Sequence, residues 1–537
     1  MDQMNTSSGS VAESGNTPLS KLSNLLITSF EREEIKNQTK TGMDVNRFVS
    51  ELATWYEKFR NAMDYRDEEV VRRAAIERIL KRRLLFGGSG VTIAPSLIRE
   101  LLWARYFPEA SISDEDVKKV KDVIDLHLEF RKELLANSHD TRLKVDEFTY
   151  DFLSSRLELM LNKSKDIELI SNYIYHLLRK SVVIKDDSEE MRDIQLFIAI
   201  RKAFAKDDLA FLRFHLFEQY FGKLTKENVH EIAVKFTKEY EAFEDQLKYS
   251  LRDRIASYAK KELPPFLIFA EILRKERGKI RALISNATEF QNAVFTTTQN
   301  RYKSISSKVK TAIVRSVIFI LLTKFAFAFS VEATYDNIVL GYIAWNALII
   351  NVVAPPFLMV IASLFIRIPD RNNTKRIYDK IKSILFVNQP ELDRPLIISL
   401  KPDRKHPVLE SIFTILWWGA FILIFGCMAY ILGKLHFSIA SQGIFVFFVA
   451  IISFLTYRIS QTAGSYTIPA RQNFLSPIGD FLFTPIIKVG RRFTEGLSHI
   501  NIFIYLFDYL IETPFKEIFG FLEKWFYFLQ TKREELG

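Results

Sequence analysis

The chain has one cysteine, Cys427, in 537 residues, so no disulfide can close within it and no cysteine cluster can hold a metal. Catalytic signatures are also missing. The glycine-rich FGGSGVT at 86–92 lacks the Gly-Lys-Ser/Thr of a phosphate-binding loop. His230-Glu231 has no second histidine four residues on, which excludes a zinc-protease helix. His127 and Glu129 are two residues apart and face different sides of a helix. Ser138, His139 and Asp140 are sequence neighbours, which is not how a triad is built in space. No reaction, cofactor or metal site is therefore expected. The first 17 residues are Ser/Gly/Asn-rich and have no basic stretch followed by an apolar one, so they are read as a disordered segment (1–18) and not as a cleaved signal peptide.

Long apolar runs are absent from roughly the first 300 residues and then appear four times: Ala312 to Ser330, Ile338 to Ile366, Ile412 to Leu432 and Gly443 to Tyr457. A hydrocarbon layer about 30 Å thick takes roughly 20 apolar helical residues. The mean hydropathy of +0.02 hides this division into a polar first part and an apolar second part. The spans are placed near 312–330, 338–366, 411–432 and 442–457, inside a membrane domain covering 311–460.

Basic residues alternate across these runs. Arg301, Lys303, Lys308 and Lys310 precede the first, and the turn VEATYDN after it has none. The loop 367–410 is rich in them, the turn after the third run has only Lys434, and Arg458 and Arg471 follow the fourth. Lysine and arginine stay on the cytoplasmic side. This predicts two helical hairpins, both termini in the cytoplasm, and a bacterial inner membrane as the fitting location. The net charge of +10 points to an anionic bilayer as a partner and not to nucleic acid.

Most of 19–310 reads as helix, with apolar residues three and four apart and few Gly or Pro. Ser113 to Asp116 forms a capping box. Gly87, Gly88 and Gly90 end one helix, and Pro95 starts the next. A helical bundle is expected over 19–222. In 223–310, one helix from Thr225 to Glu262, stopped by Pro264-Pro265, and another from Phe266 to Lys310 carry coiled-coil spacing, which suggests an antiparallel stalk. With no proline from 266 to 354, the second helix can run on into the first span.

Lys324 lies well inside the first span, and an intramembrane charge is a candidate functional group. Its expected partners are Glu332 or Asp336 on the short turn, or Asn346 and Asn351 in the second span. The alternative is that the span begins later and Lys324 reaches the far interface. Pro355-Pro356 breaks the second span, as in helices that line transport sites. Lys375 to Phe386 reads as an amphipathic helix on anionic lipid through Arg376, Lys380 and Lys382, the alternative being packing on the bundle. Arg72, Arg73, Arg78, Lys81, Arg82 and Arg83 read as a solvated helix face. The tail 461–537 is dense in aromatics, with Phe515, Ile518, Phe519, Leu522, Phe526 and Leu529 on one face. It reads as membrane-surface helices, with Trp525 at the headgroups, and a docking face for a partner or second subunit as the alternative.

The fold class expected is all-α: a helical bundle, a stalk, a four-helix membrane domain and amphipathic helices at the C-terminus. Two functions fit. One is a membrane-anchored scaffold or adaptor that presents its helical bundle to a cytoplasmic protein partner. The other is an oligomeric channel or transporter lined by the polar residues of the first two spans.

Overall fold

The computed structural model describes residues 18–36, 49–54, 56–57, 70–85, 87–108, 111–137, 142–162, 164–343, 345–387, 395–400, 407–468, 484–490, 492, 518, 521–522, 524–526 and 528–529. The expected disordered start and Ser138-His139-Asp140 lie outside these residues. The fold is all-α with a membrane domain.

The helical body comprises α1 (Lys21–Lys36), α2 (Val71–Leu85), α3 (Gly90–Trp103), α4 (Asp114–Asn137), α5 (Arg142–Leu161), α6 (Asp166–Leu178), α7 (Glu189–Ile200), α8 (Leu209–Phe221), α9 (Val229–Leu247), α10 (Arg252–Glu262), α11 (Pro264–Lys275) and α12 (Ile280–Ser285). The capping box forms at the start of α4: Ser113 N–H donates to Asp116 Oδ2 at 3.0 Å, and Asp116 N–H donates to Ser113 Oγ at 3.3 Å. At the glycines the expectation is corrected by five residues, because α3 begins at Gly90 and not at Pro95. Gly90 N–H donates to Asp125 Oδ1 at 2.6 Å, and a Cβ there would meet the Lys121 carbonyl oxygen at 2.3 Å. Only glycine lets α3 come this close to α4.

Three large cores lie among the described residues of the body. Ile76, Ile93, Leu97, Ile124 and Leu157 join α2 to α5. A phenylalanine cluster joins α4, α5, α8 and α9, with ring centroids 4.4 Å apart for Phe152–Phe217 and 4.5 Å for Phe148–Phe236. The third core unites α1, α6, α7 and α10–α12 with segments from the membrane half of the chain.

The basic cluster on α2 is largely tied into ion pairs with the body and is not a solvated face, Lys81 alone of the six being exposed. Arg73 is buried against Asp208 and Glu77, Arg78 pairs with Glu57, and Arg82 and Arg83 share Glu100. A second buried arginine, Arg201, sits in a π turn after α7 and donates to Asp207 at 2.6 Å and Glu168 at 2.7 Å. A charge is tolerated in such a core only when paired and hydrogen-bonded.

His127, on α4, faces Phe152 with its Nδ1 2.7 Å from the Val123 carbonyl oxygen, and burial pushes its imidazole down to about 4. Neutral in the fold, it gains a proton on unfolding below its ordinary value of about 6.5. Its contribution is therefore present above about pH 6.5 and is lost as pH falls toward 4, by about 3 kcal/mol in all. Burial raises Asp151 and Asp207 to about 6, which gives an opposite slope. Comparing wild type with His127→Phe cancels those two. The difference in unfolding free energy is expected to move by about 3 kcal/mol in favour of the variant between pH 7 and pH 4.

The stalk is not present as expected. The first long helix breaks at 248–251 into α9 and α10, which pack on α4 and α7 respectively. The second breaks at the 3₁₀ turn Arg277–Lys279 and again at Asn286. Apolar spacing of three and four is satisfied equally by a bundle, so it does not specify a coiled coil. Asn286 was legible as a helix start: its side chain accepts from Glu289 N–H, three residues on.

From Asn286 a single helix, α13 (Ala287–Phe327), leaves the body core at Phe290 and Val294 and continues without a break into the membrane domain. It is extended by a π turn (Ala328–Glu332), by α14 (Ala333–Tyr335) and by a second π turn (Asp336–Leu340), and ends at Gly341. The segment VEATYDN is thus helix and not a turn. The other apolar helices are α15 (Trp345–Leu364), α17 (Pro407–Lys434) and α18 (Ile439–Ala463). With α13, these four are long and apolar enough to cross a membrane. Between α15 and α17 lie α16 (Arg371–Phe386) and the strand β2 (Leu396–Ser399).

That connecting loop belongs to the body. Ile377, Ile381, Ile384 and Leu385 of α16 are buried in the third core against α11, α13 and α1. β2 pairs in parallel with β1 (Val182–Lys185), Val182 opposite Leu396. The expected lipid contacts are corrected accordingly: Lys380 Nζ pairs with Glu262 at 2.8 Å, Arg376 donates to the Ile468 carbonyl at 3.3 Å, and of the three only Lys382 is exposed. Periodicity reveals an apolar face but not what covers it.

The tail is corrected in part as well. Leu522 and Phe526 pack on Val49, Ala53, Tyr56 and Trp103 of the body. Trp525 stays half exposed between Phe521 and Phe528, and Phe515 and Phe519 lie outside the described residues. Helical residues 484–490 pack against the middle of α18, where a Cβ on Gly490 would meet the Ala450 carbonyl oxygen at 2.0 Å. Lys488 Nζ sits 4.4 Å over the Trp417 ring of α17.

Candidate functional site

Four polar side chains of the apolar helices, Lys324, Glu332, Asn351 and Ser441, converge where α13, α15 and α18 meet. Eight α-helical steps would leave Lys324 and Glu332 about 80° apart around the axis. The π turn Ala328–Glu332 underwinds the helix and swings Glu332 back onto the lysine's face. Both side chains are fully buried, and Lys324 Nζ donates to Glu332 Oε1 at 2.5 Å.

The second carboxylate oxygen, Oε2, takes donors from the other two helices. Asn351 Nδ2 on α15 donates to it, and so does Ser441 Oγ on α18, at 3.3 Å. Asn351 Nδ2 also reaches the Ser441 carbonyl oxygen at 3.3 Å. Ser441 is held in the first turn of α18, where its N–H donates to the Ser438 Oγ cap at 3.3 Å. The Phe448 ring lies 5.1 Å from Lys324 Nζ and adds a cation–π contact. One carboxylate thus bonds a lysine, an asparagine and a serine, and ties three helices together.

The sequence-derived candidates divide clearly. Lys324, Glu332 and Asn351 meet directly. Asp336, one turn beyond Glu332, is 2 % exposed, and its Oδ1 has no hydrogen-bond partner. Asn351 Oδ1, in a fully buried side chain, has none either. Asn346 is exposed on the outer side of α15 and does not join. Pro355 and Pro356 are buried, and α15 runs through them from Trp345 to Leu364. Having no N–H, they cannot donate to the carbonyls one turn back, at Asn351 and Val352.

Ser441 and Phe448 were not singled out from the sequence. A serine three residues after another serine at a helix start reads as part of the cap, and a phenylalanine in an apolar run carries no mark of its cation contact. Among the described residues, no group of three or more His, Cys, Asp or Glu could hold a metal ion by the usual donor set. No family model matches the chain, and no curated protein or solved structure matches it either.

Proposed function

We propose that the chain is a multi-pass membrane protein that acts as a scaffold, holding its helical body in one fixed pose on the cytoplasmic face for a protein partner. The observation that carries this reading is the way the body and the apolar helices are built from each other. α13 starts in the body core and runs unbroken into the membrane domain, while α16 and β2, from between two apolar helices, complete the body. A domain merely tethered to a membrane needs one flexible linker and no such sharing.

The exposed Lys308, Lys310, Arg315, Arg367 and Arg458 ring the body end of the apolar helices, which suits an anionic leaflet on that side. We assign the chain no catalytic role. The alternative, an oligomeric channel or transporter, would use the polar residues of α13 and α15. In this arrangement Lys324, Glu332 and Asn351 are turned on one another, which favours the scaffold.

Ion and solute flux into sealed liposomes carrying purified protein tests the choice, with Lys324→Ala and Asn351→Ala beside wild type. Flux no greater than in empty vesicles is expected for all three. Wild-type flux altered by either substitution would replace the scaffold with a conduit. Photo-crosslinkers on the exposed body surface are expected to capture a cytoplasmic protein in cells.

A further inference from the structure

The corner between α7 and α8 carries more negative charge than positive. The π turn Arg201–Ala205 ends α7, Lys206 is left-handed at φ 61°, and Asp208 caps α8 by accepting from Phe211 N–H at 3.1 Å. A π turn re-aims the side chains it carries. Here one buried guanidinium serves two carboxylates: Arg201 Nε donates to Asp207 Oδ2, and Nη1 donates to Glu168 Oε1 on α6. Among the described residues, no other lysine or arginine forms an ion pair with either carboxylate. The neighbouring carboxylates have cations of their own. Asp208 pairs with Arg73 of α2. Glu158 of α5 and Glu218 of α8, both repelled by Glu168, pair with Arg72 and Arg156. Lys206 faces another cation, Lys260 of α10.

A fourth side chain points into this cluster. His215 of α8 is 9 % exposed, and its Nε2 lies 3.7 Å from Glu168 Oε1 and 3.7 Å from Asp207 Oδ2, the two oxygens that Arg201 holds. That is too far for a hydrogen bond, and Nε2 has no other partner. Phe197, Phe211 and Phe214 surround the imidazole. Burial, with Arg201 nearby, pushes it well below its ordinary value, so it is neutral. Burial also raises Asp207 to about 6 against the pull of Arg201, with Glu168 and Asp208 adding to the rise. A neutral ring nitrogen is a ready acceptor, and the carboxyl facing it needs only a hydrogen to donate.

We propose that this corner is a proton-binding site, in which Asp207 takes up one proton and donates it to His215 Nε2, while Arg201 stays on Glu168. A shift of about 1 Å in the imidazole closes the bond. The proton supplies the positive charge that the cluster lacks and the donor that Nε2 lacks. Glu168, 34 % exposed, links the cluster to solvent. The corner also joins two cores: Ile200 and Phe204 belong to the third, and Leu212 and Phe214 to the phenylalanine cluster. Loading the site therefore ties the two cores more tightly in acid than in alkali. This goes beyond the scaffold reading and does not rest on it, since the site lies wholly within the helical body.

The test uses the full-length chain in lipid nanodiscs and infrared difference spectra between pH 8 and pH 5.5. Wild type is compared with Asp207→Asn, which keeps the shape and cannot take the proton. Surface carboxyls and Asp151 titrate alike in both proteins and cancel. The expected result is a protonated-carboxyl band that grows on acidification and is smaller by one carboxyl in the variant. Equal bands overturn the proposal. Should Asp207→Asn fail to fold, nitrogen-15 spectra of the wild-type histidines decide, with His215→Phe identifying the His215 signal. Movement of Nε2 from a free to a hydrogen-bonded acceptor nitrogen between pH 8 and pH 5.5 upholds the site. A signal that stays fixed, or one that turns into a protonated imidazolium, removes it.

Discussion

Glu332→Leu is expected to lower the stability of the membrane domain by about 3–5 kcal/mol, the largest single-residue effect in the apolar half of the chain. The substitution leaves the Lys324 ammonium fully buried with the Phe448 ring as its remaining contact, and takes the acceptor from Asn351 Nδ2 and Ser441 Oγ. Most of the cost comes from the orphaned charge and not from the lost pair. Lys324→Met combined with Glu332→Leu is therefore expected to recover most of the loss, or to exceed wild type, because a buried ion pair replaced by apolar groups is close to neutral. Unfolding by denaturing detergent, followed on all four proteins of the cycle, measures the coupling. A double-variant cost equal to the sum of the two single costs would mean that the pair does not hold the helices.

Ile381→Ala is expected to destabilise the helical body by about 2–5 kcal/mol, although the residue lies between the second and third apolar helices. Ile381 is 1 % exposed and packs in the core shared by α1, α6, α7 and α10–α12. Truncating it leaves a cavity among Ile377, Ile384 and the helices opposite. Hydrogen exchange is expected to quicken together at α11, α16 and the β1–β2 pair, since these share one core. A helix lying on lipid would instead show faster exchange only within itself. Lys382→Ala, on the exposed side of α16, is expected to change stability by less than about 0.5 kcal/mol.

What the sequence revealed followed from local rules. The apolar runs, the Ser113 cap and the unbroken passage into the first span each rest on length, spacing or a cap within a few residues. Lys324 and its partner Glu332 were both visible as charges near an apolar run. What was hidden depended on contacts between distant segments. Arg73 and Arg82 look like a solvated face until Asp208 and Glu100 are brought beside them. The α16 stripe fits a lipid surface as well as it fits α11. β1 and β2 are four residues each, and the β-branched Val182, Val183, Ile397 and Ile398 pair across more than 200 residues, a separation no local pattern encodes. The helical ending of the first span at Gly341 was missed because hydropathy falls at Glu332 and Asp336, although the bundle turns both inward.

The continuous helix α13 is the backbone of this architecture, and a distance across it is the measurement to make first. With Cys427 replaced by serine, spin labels are placed at Gln291, exposed on the body side, and at Leu322, 65 % exposed on the apolar side. The 31 helical steps from one to the other predict one narrow distance distribution near 46 Å, unchanged between detergent and lipid bilayer. A broad distribution, or a shorter mean that varies with the medium, would show a hinge between body and membrane domain and would contradict a single rigid unit.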